Sequence, residues 1–155
     1  DPYYLSWISK KKGYDPIILK ASGSINNNMP DYIVKKILKF YPKKILLVGL
    51  SFKKNIDDDR ESTTYVFMKL LDKYNISYNF FDPYIKTTKI GRQNNKILKS
   101  VKLTKKEVKK YDMTIILTDH DNINYRLIAK EAKLIIDTRG IFRKLKLGAK
   151  KIINL

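Results

Sequence analysis

Apolar residues recur at three- and four-residue spacing in the first part of the chain. The recurring positions are Ile25, Met29, Ile33, Val34, Ile37 and Leu38. This spacing predicts a helix over residues 22–40, with Pro30 marking a start or a kink. A shorter helix is predicted over residues 1–13, where Gly13 would end it. Because two helices cannot form an independent core, we expect them to pack against another domain, a second copy of the chain, or both.

After this helical part, which we divide off as residues 1–42, the pattern changes to alternating strands and helices. Short apolar runs predict strands over residues 44–50, 77–81, 113–117 and 134–137, with an edge strand over 151–154. Helices are predicted between them, over residues 62–74, 104–110 and 122–131. Residues 84–100 are polar and rich in Lys, so we expect a loop with little structure. For residues 43–155 the alternation predicts an α/β fold with a Rossmann-like, doubly wound parallel sheet, in which ligands bind beyond the carboxyl ends of the strands.

The composition is that of a globular protein with an unusual charge. The 155 residues are 43% hydrophobic and 31% charged, and the formal net charge is +18. Such a charge is typical of a protein that binds nucleic acid or an anionic membrane surface, or of a chain that is simply rich in Lys. Lys is spread over every predicted segment and Arg is scarce, so a nucleic-acid partner is not favoured. A basic surface would still attract a diphosphate ligand.

Several absences from the sequence narrow the classes of function. No apolar run reaches about 18 residues, so neither a membrane-spanning helix nor a membrane partner is expected. The sequence shows no charged and then apolar leader segment, so secretion is not indicated. We therefore expect a cytoplasmic protein. The chain contains no Cys, which excludes disulfides, thiolate metal sites and a cysteine nucleophile from these residues. No cluster with metal-ligand spacing stands out, and we expect no metal.

The first candidate for ligand contact follows the first predicted strand. Residues 49–53 read Gly-Leu-Ser-Phe-Lys, which is not the G-x-G-x-x-G pattern that lets a backbone approach a dinucleotide. Phe52 could stack on a base or a sugar, and Lys53 could pair with a phosphate. Residues 57–62 then read Asp-Asp-Asp-Arg-Glu-Ser. Because Ser62 suits an N-cap, part of this stretch is also a helix start.

Two further candidates follow later strands. Arg139 comes after the fourth strand, where anionic ligands bind, or else it pairs on the surface with the Asp cluster of residues 57–59. His120 has Asp119 as its neighbour and could act as a general base. A structural hydrogen-bonding pair that closes a loop is the more common role for such a His, and we favour it.

Taken in order, these motifs resemble those of the UDP-glucose/GDP-mannose dehydrogenase family, and within it most those of bacterial UDP-N-acetylglucosamine 6-dehydrogenases. Five segments carry the resemblance over essentially the whole chain: residues 1–7 (DPYYLSW), 24–30 (SINNNMP), 49–62 (GLSFK…DDRES), 117–120 (LTDH) and 137–139 (DTR). The first looks like the segment after the family's catalytic cysteine, and the second like its central helix. The third matches the family signature G-x-x-F-K…D-x-R-x-S.

The resemblance implies an NAD-dependent enzyme that oxidises the C6 alcohol of a UDP-sugar to a carboxylate, through a cysteine thioester, for polysaccharide biosynthesis. By motif, Phe52, Lys53 and Arg139 would contact the UDP-sugar. Arg60 would reach NAD, which another domain would mainly bind. Asp1 would assist the cysteine or the hydrolytic water. UDP-N-acetylglucosamine is the expected substrate, while UDP-glucose and UDP-N-acetylmannosamine remain open.

Departures from the family pattern bear on activity. The family cysteine would precede Asp1 and the NAD-binding domain is absent from these residues, so we expect the chain alone to be inactive as a dehydrogenase. Residues 63–64 are Thr-Thr where many members have Pro-Ala, and Asp59 replaces a residue that is usually apolar.

The resemblance also implies a homodimer that forms through the helix of residues 22–40. If that helix mediates self-association, changing Ile33 and Ile37 to Lys should abolish it. Two functions from other classes stay open at this point: a polyanion-binding module built on the same fold, and a purely structural dimerisation module.

Overall fold

A parallel sheet with helices on both faces forms the centre of the structure. The computed structural model describes residues 2–90, 96–148 and 151–154. The strands are β1 (Lys44–Val48), β2 (Ser77–Phe81), β3 (Thr87–Ile90), β4 (Lys96–Lys99), β5 (Met113–Ile116), β6 (Ile135–Asp137) and β7 (Ile152–Asn154). The helices are α1 (Pro2–Lys11), α2 (Ile17–Leu38), α3 (Thr63–Lys73), α4 (Lys105–Val108), α5 (Tyr125–Glu131) and α6 (Ile141–Lys144).

Five of these strands form one parallel sheet in the order β2-β1-β5-β6-β7. Leu47 of β1 lies between Phe80 of β2 and Ile115 of β5 in the register. The chain winds outward from β1 to β2 and then returns to place β5 on the other side of β1, so the direction of winding reverses there. The α/β fold with a doubly wound parallel sheet is therefore confirmed, including the predicted edge strand, β7.

Apolar side chains cover both faces of this sheet. Successive strand residues point to opposite faces. Ile45 and Leu47 join a core shared with α2 and α3, and Leu46 and Val48 join a second core with α4, α5 and α6. Because both faces are covered, the strand needs an uninterrupted apolar sequence, which is the pattern that predicted it.

The long helix begins earlier than its apolar spacing predicts. It starts at Ile17 rather than at residue 22, directly after Pro16, and Pro30 lies inside it as a buried residue. Ile17 and Ile18 are exposed, so the first turns contribute no residues to the buried stripe that the periodicity detects. Gly13 follows α1 with a positive φ of 81°, as expected of a residue that ends a helix.

Only the second half of α2 packs against the sheet. Ile33, Val34 and Ile37 are buried in the same core as β1 and α3. The prediction that Lys at positions 33 and 37 would test self-association is therefore wrong, because these changes would disrupt the domain core instead. The division of the chain at residue 42 stays a prediction.

The described residues 84–90 and 96–100 are not the unstructured loop that their composition suggested, and residues 91–95 of that prediction lie outside the described residues. Strands β3 and β4 pair antiparallel, with Thr88 opposite Leu98. Thr88 is buried, and Ile90 and Leu98 pack against the core beside α3. The alternation was missed because Lys occupies several of the intervening positions and because the strands have only four residues each. Beyond this hairpin, Val101 N donates to the Phe80 carbonyl (2.9 Å).

Side-chain hydrogen bonds cap the amino ends of α3, α4 and α5. Ser62 Oγ accepts from Thr64 N (3.2 Å) at α3, as the sequence predicts. Thr104 Oγ1 accepts from Glu107 N (3.2 Å) at α4. Helix α6 was not predicted, because its four residues are too few to show a period. Within the described residues, no helix is long and apolar enough to cross a membrane.

Candidate functional site

The carboxyl ends of β1 and β5 mark the candidate site. These strands are neighbours where the winding of the sheet reverses, so the loops that follow them diverge and leave a crevice, which is where open α/β sheets bind ligands. The loop after β1 holds Phe52 and Lys53, and the loop after β5 holds Asp119 and His120. The loop after β6, one strand further along, holds Arg139.

Gly49 allows the loops after β1 and β5 to approach each other. It has a φ of +94°, and a Cβ built on it would lie 2.5 Å from both Thr118 Cβ and Thr118 N. Thr118 Oγ1 donates to the Ser51 carbonyl (2.8 Å), which keeps the two loops at this separation. A side chain at position 49 would therefore require both a strained backbone and a shift of the neighbouring loop.

A buried carboxylate organises the start of the loop after β1. Asp82 follows β2 and has no solvent exposure. Its Oδ2 accepts from Leu50 N (2.6 Å), Ser51 N (2.9 Å) and Ser51 Oγ (3.1 Å). Burial alone would raise the pKa of Asp82, but these backbone bonds and one from His120 outweigh burial and hold that pKa below its ordinary value.

His120 connects this carboxylate to the far end of the same loop. The imidazole has no solvent exposure, and its Nε2 lies 3.1 Å from Asp82 Oδ2. Its Nδ1 accepts a hydrogen bond from Asn55 N (2.9 Å). The preference for a structural His over a general base is thus consistent with the geometry, but the partner is Asp82 and not the adjacent Asp119.

Exposed polar groups add a second connection between the two loops. Asn55 donates through Nδ2 to Asp121 Oδ2 (2.6 Å), and Asp121 N donates to Asn55 Oδ1 (3.0 Å). Lys54 forms a salt bridge with Asp121 (2.5 Å). Because Lys54 is engaged in this way, it is a structural lysine, unlike its neighbour Lys53.

Phe52 and Lys53 project from this held loop. The Phe52 side chain is 48% exposed, although its backbone N donates to the Asp58 carbonyl (2.7 Å). Lys53 Nζ lies 5.4 Å from the centre of the Phe52 ring. Among the residues that the structure describes, Lys53 has no carboxylate partner. An exposed large aromatic ring beside an ammonium that forms no salt bridge is suited to contact an anionic ligand that also has a flat or apolar part.

Arg60 is held by a neighbour in its own loop. Its Nε and Nη2 donate to the two carboxylate oxygens of Asp58 at 3.0 and 2.8 Å. This bidentate contact lowers the pKa of Asp58 to about 2. The Arg60 side chain is 85% exposed, so its outer face stays open to a ligand.

Arg139 pairs with the loop after β5. Its Nε donates to Asp119 Oδ1 (3.2 Å), so its partner is not the Asp cluster of residues 57–59. Its backbone N donates to the buried Asp137 carboxylate (3.0 Å), which fixes the turn before Gly140. The guanidinium remains half exposed at the same edge of the sheet as Lys53.

An open groove lies beside this edge. Its volume is about 590 Å³, and it runs between α2 and Thr138. The lining residues from the helix are Ser24, Ile25, Asn28, Met29, Tyr32 and Ile33. Thr138 directly precedes Arg139, so the groove adjoins the predicted ligand-contacting arginine.

The structure thus brings Phe52, Lys53, Arg60 and Arg139 to loops that follow sheet strands at one edge. Asp1 lies outside the described residues. Sequence reasoning missed the roles of Asp82 and Asn55. The available signal for Asp82 was its position, directly after a buried strand, which is where functional residues of this fold are expected. Asn55 carried no signal in the sequence.

Sheet topology places these loop residues at the carboxyl edge of a doubly wound α/β domain, where domains of this kind bind ligands. Residues 46–144 match the model of the UDP-glucose/GDP-mannose dehydrogenase family, UDP binding domain. The chain belongs to this family, as the resemblance of its motifs implied.

Individual relatives agree with this family. The chain is 32% identical over 130 residues to the UDP-N-acetyl-D-glucosamine 6-dehydrogenase of Salmonella typhi, covering 77% of this chain and 29% of the relative. It is 34% identical over 93 residues to the enzyme of the same name from Pseudomonas aeruginosa, covering 55% of this chain and 22% of the relative. The chain therefore spans less than a third of these curated relatives.

Solved structures share the fold. A ternary complex of GDP-mannose dehydrogenase from Pseudomonas aeruginosa matches with a TM-score of 0.75 at 17% identity, over 99% of this chain and 37% of that chain. A UDP-glucose dehydrogenase from Pyrobaculum islandicum matches with a TM-score of 0.72 at 21% identity, over 97% of this chain and 35% of that chain.

Proposed function

We propose that this chain is the UDP-sugar-binding part of an NAD-dependent UDP-N-acetylhexosamine 6-dehydrogenase, with UDP-N-acetylglucosamine as the substrate. Family membership supports a sugar-nucleotide dehydrogenase. The choice of sugar is supported by the two relatives from Salmonella typhi and Pseudomonas aeruginosa, which carry that name. A relative from Methanocaldococcus jannaschii, a UDP-N-acetyl-D-mannosamine dehydrogenase, is 26% identical, so the mannosamine isomer is the second candidate.

The observation that carries the proposal is the exposed Phe52–Lys53 pair on a loop whose backbone is fixed. Lys53 would pair with the diphosphate. Among the described residues its ammonium has no carboxylate partner, so no salt bridge would have to break before the ligand binds. Phe52 would cover the uracil or the ribose with its ring. Arg139 would add a second cation, because its guanidinium is half exposed and makes a single bond to Asp119, which leaves its other N–H groups for a phosphate.

The described residues do not fit a dinucleotide site of their own. In the loop after β1, Gly49 stands where a phosphate-binding glycine would be expected. The side of Gly49 on which a Cβ would lie is occupied by Thr118 and does not face solvent. A diphosphate therefore has no close approach to this backbone. For NAD, we propose only that Arg60 contacts a cofactor that another domain holds. For Asp1, assistance to the cysteine or the hydrolytic water stays a proposal from the family motif.

Isothermal titration of the chain with UDP-N-acetylglucosamine tests the proposal. We expect saturable binding, which Lys53→Ala weakens by roughly tenfold, the loss expected for one charged contact to phosphate. Lys73→Ala is the matched control, because Lys73 also lies beside an aromatic ring, Tyr74, but at the opposite edge of the sheet. Binding that is absent at millimolar ligand, or equally weakened by both substitutions, would refute the proposed site.

We also propose that the chain self-associates through α1 and the first half of α2. Large apolar side chains are exposed there: Tyr3, Tyr4, Leu5, Trp7, Ile17, Ile18, Ile25 and Met29. Ile18 is 84% exposed and Ile25 is 63% exposed, which is unusual for a helix that ends in a domain core. Burial of this surface in a second copy would remove it from water.

Sedimentation velocity tests this interface. We expect the unsubstituted chain to dimerise and the Ile18→Lys, Ile25→Lys double variant to be monomeric. Ile97→Lys is the control, because Ile97 is 59% exposed but belongs to β4 and not to α1 or α2. A monomeric unsubstituted chain would contradict the proposal.

A further inference from the structure

Two buried residues outside the ligand-contacting set hold both ends of the loop that presents Phe52 and Lys53. At the start of the loop, Asp82 Oδ2 accepts the N–H groups of Leu50 and Ser51. At its end, Asn55 N donates to His120 Nδ1. The imidazole contacts the same Asp82 oxygen through Nε2 (3.1 Å), so a single carboxylate oxygen links the two ends.

The backbone donor at Asn55 determines the tautomer of His120. A backbone N–H can only donate, so Nδ1 carries no proton and the ring proton lies on Nε2, where it is donated to Asp82. The opposite tautomer would place an N–H against the Asn55 N–H and a lone pair against the carboxylate. Only the Nε2–H form satisfies both neighbours.

The surroundings of the ring allow it little freedom. Tyr84 lies against it with ring centroids 5.1 Å apart, and Tyr125 Oη donates to the His120 carbonyl (3.0 Å). Asn55 itself has a φ of +60°, in the left-handed region that Asn adopts more readily than other non-glycine residues. The hydrogen bond from its N to His120 Nδ1 helps to keep the backbone in this conformation.

From this geometry we infer that Asp82 and His120 are positioning residues for the UDP-sugar. They have no exposure and cannot touch a ligand, so they act by holding residues 50–55 in the conformation that aims Phe52 and Lys53 outward. This inference rests on the proposed function and extends it by two residues. A loop ordered before the ligand arrives does not lose that conformational freedom on binding, which favours affinity.

His120→Phe tests the inference. It keeps a ring beside Tyr84 but removes both hydrogen bonds of the imidazole. We expect cooperative unfolding to persist, the Asn55 amide to exchange faster with solvent, and UDP-N-acetylglucosamine to bind roughly tenfold more weakly. His120→Asn should restore part of the affinity, because its Oδ1 can still accept from Asn55 N. If His120→Phe does not fold, the comparison of His120→Asn with the unsubstituted chain carries the test.

A double-mutant cycle separates positioning from general stability. In a Lys53→Ala background, the effect of His120→Phe on affinity should be smaller, because the ammonium that the loop holds in place is already absent. Nitrogen NMR of the imidazole should show the neutral Nε2–H tautomer.

The possible failures are distinguishable. If the unsubstituted chain does not bind UDP-N-acetylglucosamine, the proposed function fails and the positioning role fails with it. If binding is unchanged by His120→Phe although the Asn55 amide exchanges freely, or if the effects of the two substitutions are additive, the positioning role alone is overturned.

Discussion

The amino and carboxyl edges of the parallel sheet, where the strands begin and end, carry the same kinds of residue but differ in how deeply these residues are buried. At the amino edge, Asp112 accepts the backbone N–H groups of Lys43 and Lys44 at 3.1 Å each. At the carboxyl edge, Asp82 does the same for Leu50 and Ser51, at 2.6 and 2.9 Å. The Asp112 side chain is 42% exposed, whereas Asp82 is fully buried and bonded to an imidazole as well.

Each edge also has a Lys beside an aromatic ring. Lys73 lies 6.0 Å from the centre of Tyr74 at the amino edge, and Lys53 lies 5.4 Å from that of Phe52 at the carboxyl edge. The residue types alone therefore do not define a site. The carboxyl edge differs because a buried network fixes the backbone that carries the exposed pair.

Gly49→Ala should have the largest effect of the substitutions considered, because the carboxyl edge depends on the close approach of two loops. The new Cβ would lie 2.5 Å from Thr118 at a positive φ. We expect a loss of more than about 3 kcal/mol in the free energy of unfolding, measured with urea. Gly13→Ala is the control, since Gly13 also has a positive φ but nothing within 4 Å, and about 1 kcal/mol is expected. Equal losses would show that the loop approach is unimportant.

Asp82→Asn should come next, at about 3 kcal/mol, because it leaves buried N–H groups without a full carboxylate partner. Asp112→Asn should cost less than about 1 kcal/mol, because water can replace a half-exposed carboxylate. Urea unfolding of both variants at neutral pH measures the difference. A larger loss for Asp112→Asn would reverse the comparison of the two edges.

Acid should destabilise the fold in part through Asp82. Because the pKa of Asp82 is lower in the folded chain, this group adds stability above the ordinary Asp value of about 3.9 and loses its contribution as the pH falls below it. The unsubstituted chain should therefore lose stability steeply from about pH 5 downward, and Asp82→Asn should lose less over the same range. Parallel curves for the two proteins, from urea titrations at pH 7, 5, 4 and 3, would contradict this assignment.

Phe52→Ala should have the smallest effect of these substitutions. It should change the free energy of ligand binding and leave the free energy of unfolding unchanged. Removal of a half-exposed ring leaves the fold intact and should weaken UDP-N-acetylglucosamine binding by about fivefold, which corresponds to about 1 kcal/mol. Tyr74→Ala, whose ring is 37% exposed at the amino edge, should leave the affinity unchanged. Isothermal titration compares the two variants.

The parts of the fold that could be predicted are those in which burial against the sheet or a local hydrogen bond determines the residue type. The run at β1 and the second half of the apolar stripe on α2 are buried in the domain core. Ser62 and Thr104 cap their helices through local hydrogen bonds. The pairing of β3 with β4 was not predicted, because each strand has only four residues and Lys lies beside the apolar residues in both. Tertiary packing, and not local sequence, decides which strands of this kind form.

The candidate site was predictable only in its exposed members. Phe52, Lys53 and Arg139 follow strands and stand out as residue types. The partnership of Asp82 with His120 joins residues 38 positions apart and depends on which strands are neighbours in the sheet. Adjacency in sequence suggested Asp119 for His120, and only the sheet order gives the correct partner.

An amide NMR titration of the chain with UDP-N-acetylglucosamine tests the central claim most directly. If the carboxyl edge is the ligand site, saturable shifts should concentrate in residues 49–55, 118–121 and 138–140. The amino-edge amides of residues 43–44, 74–77 and 111–112 should stay unchanged. Shifts that concentrate at the amino edge, or no saturable shifts at millimolar ligand, would contradict the account.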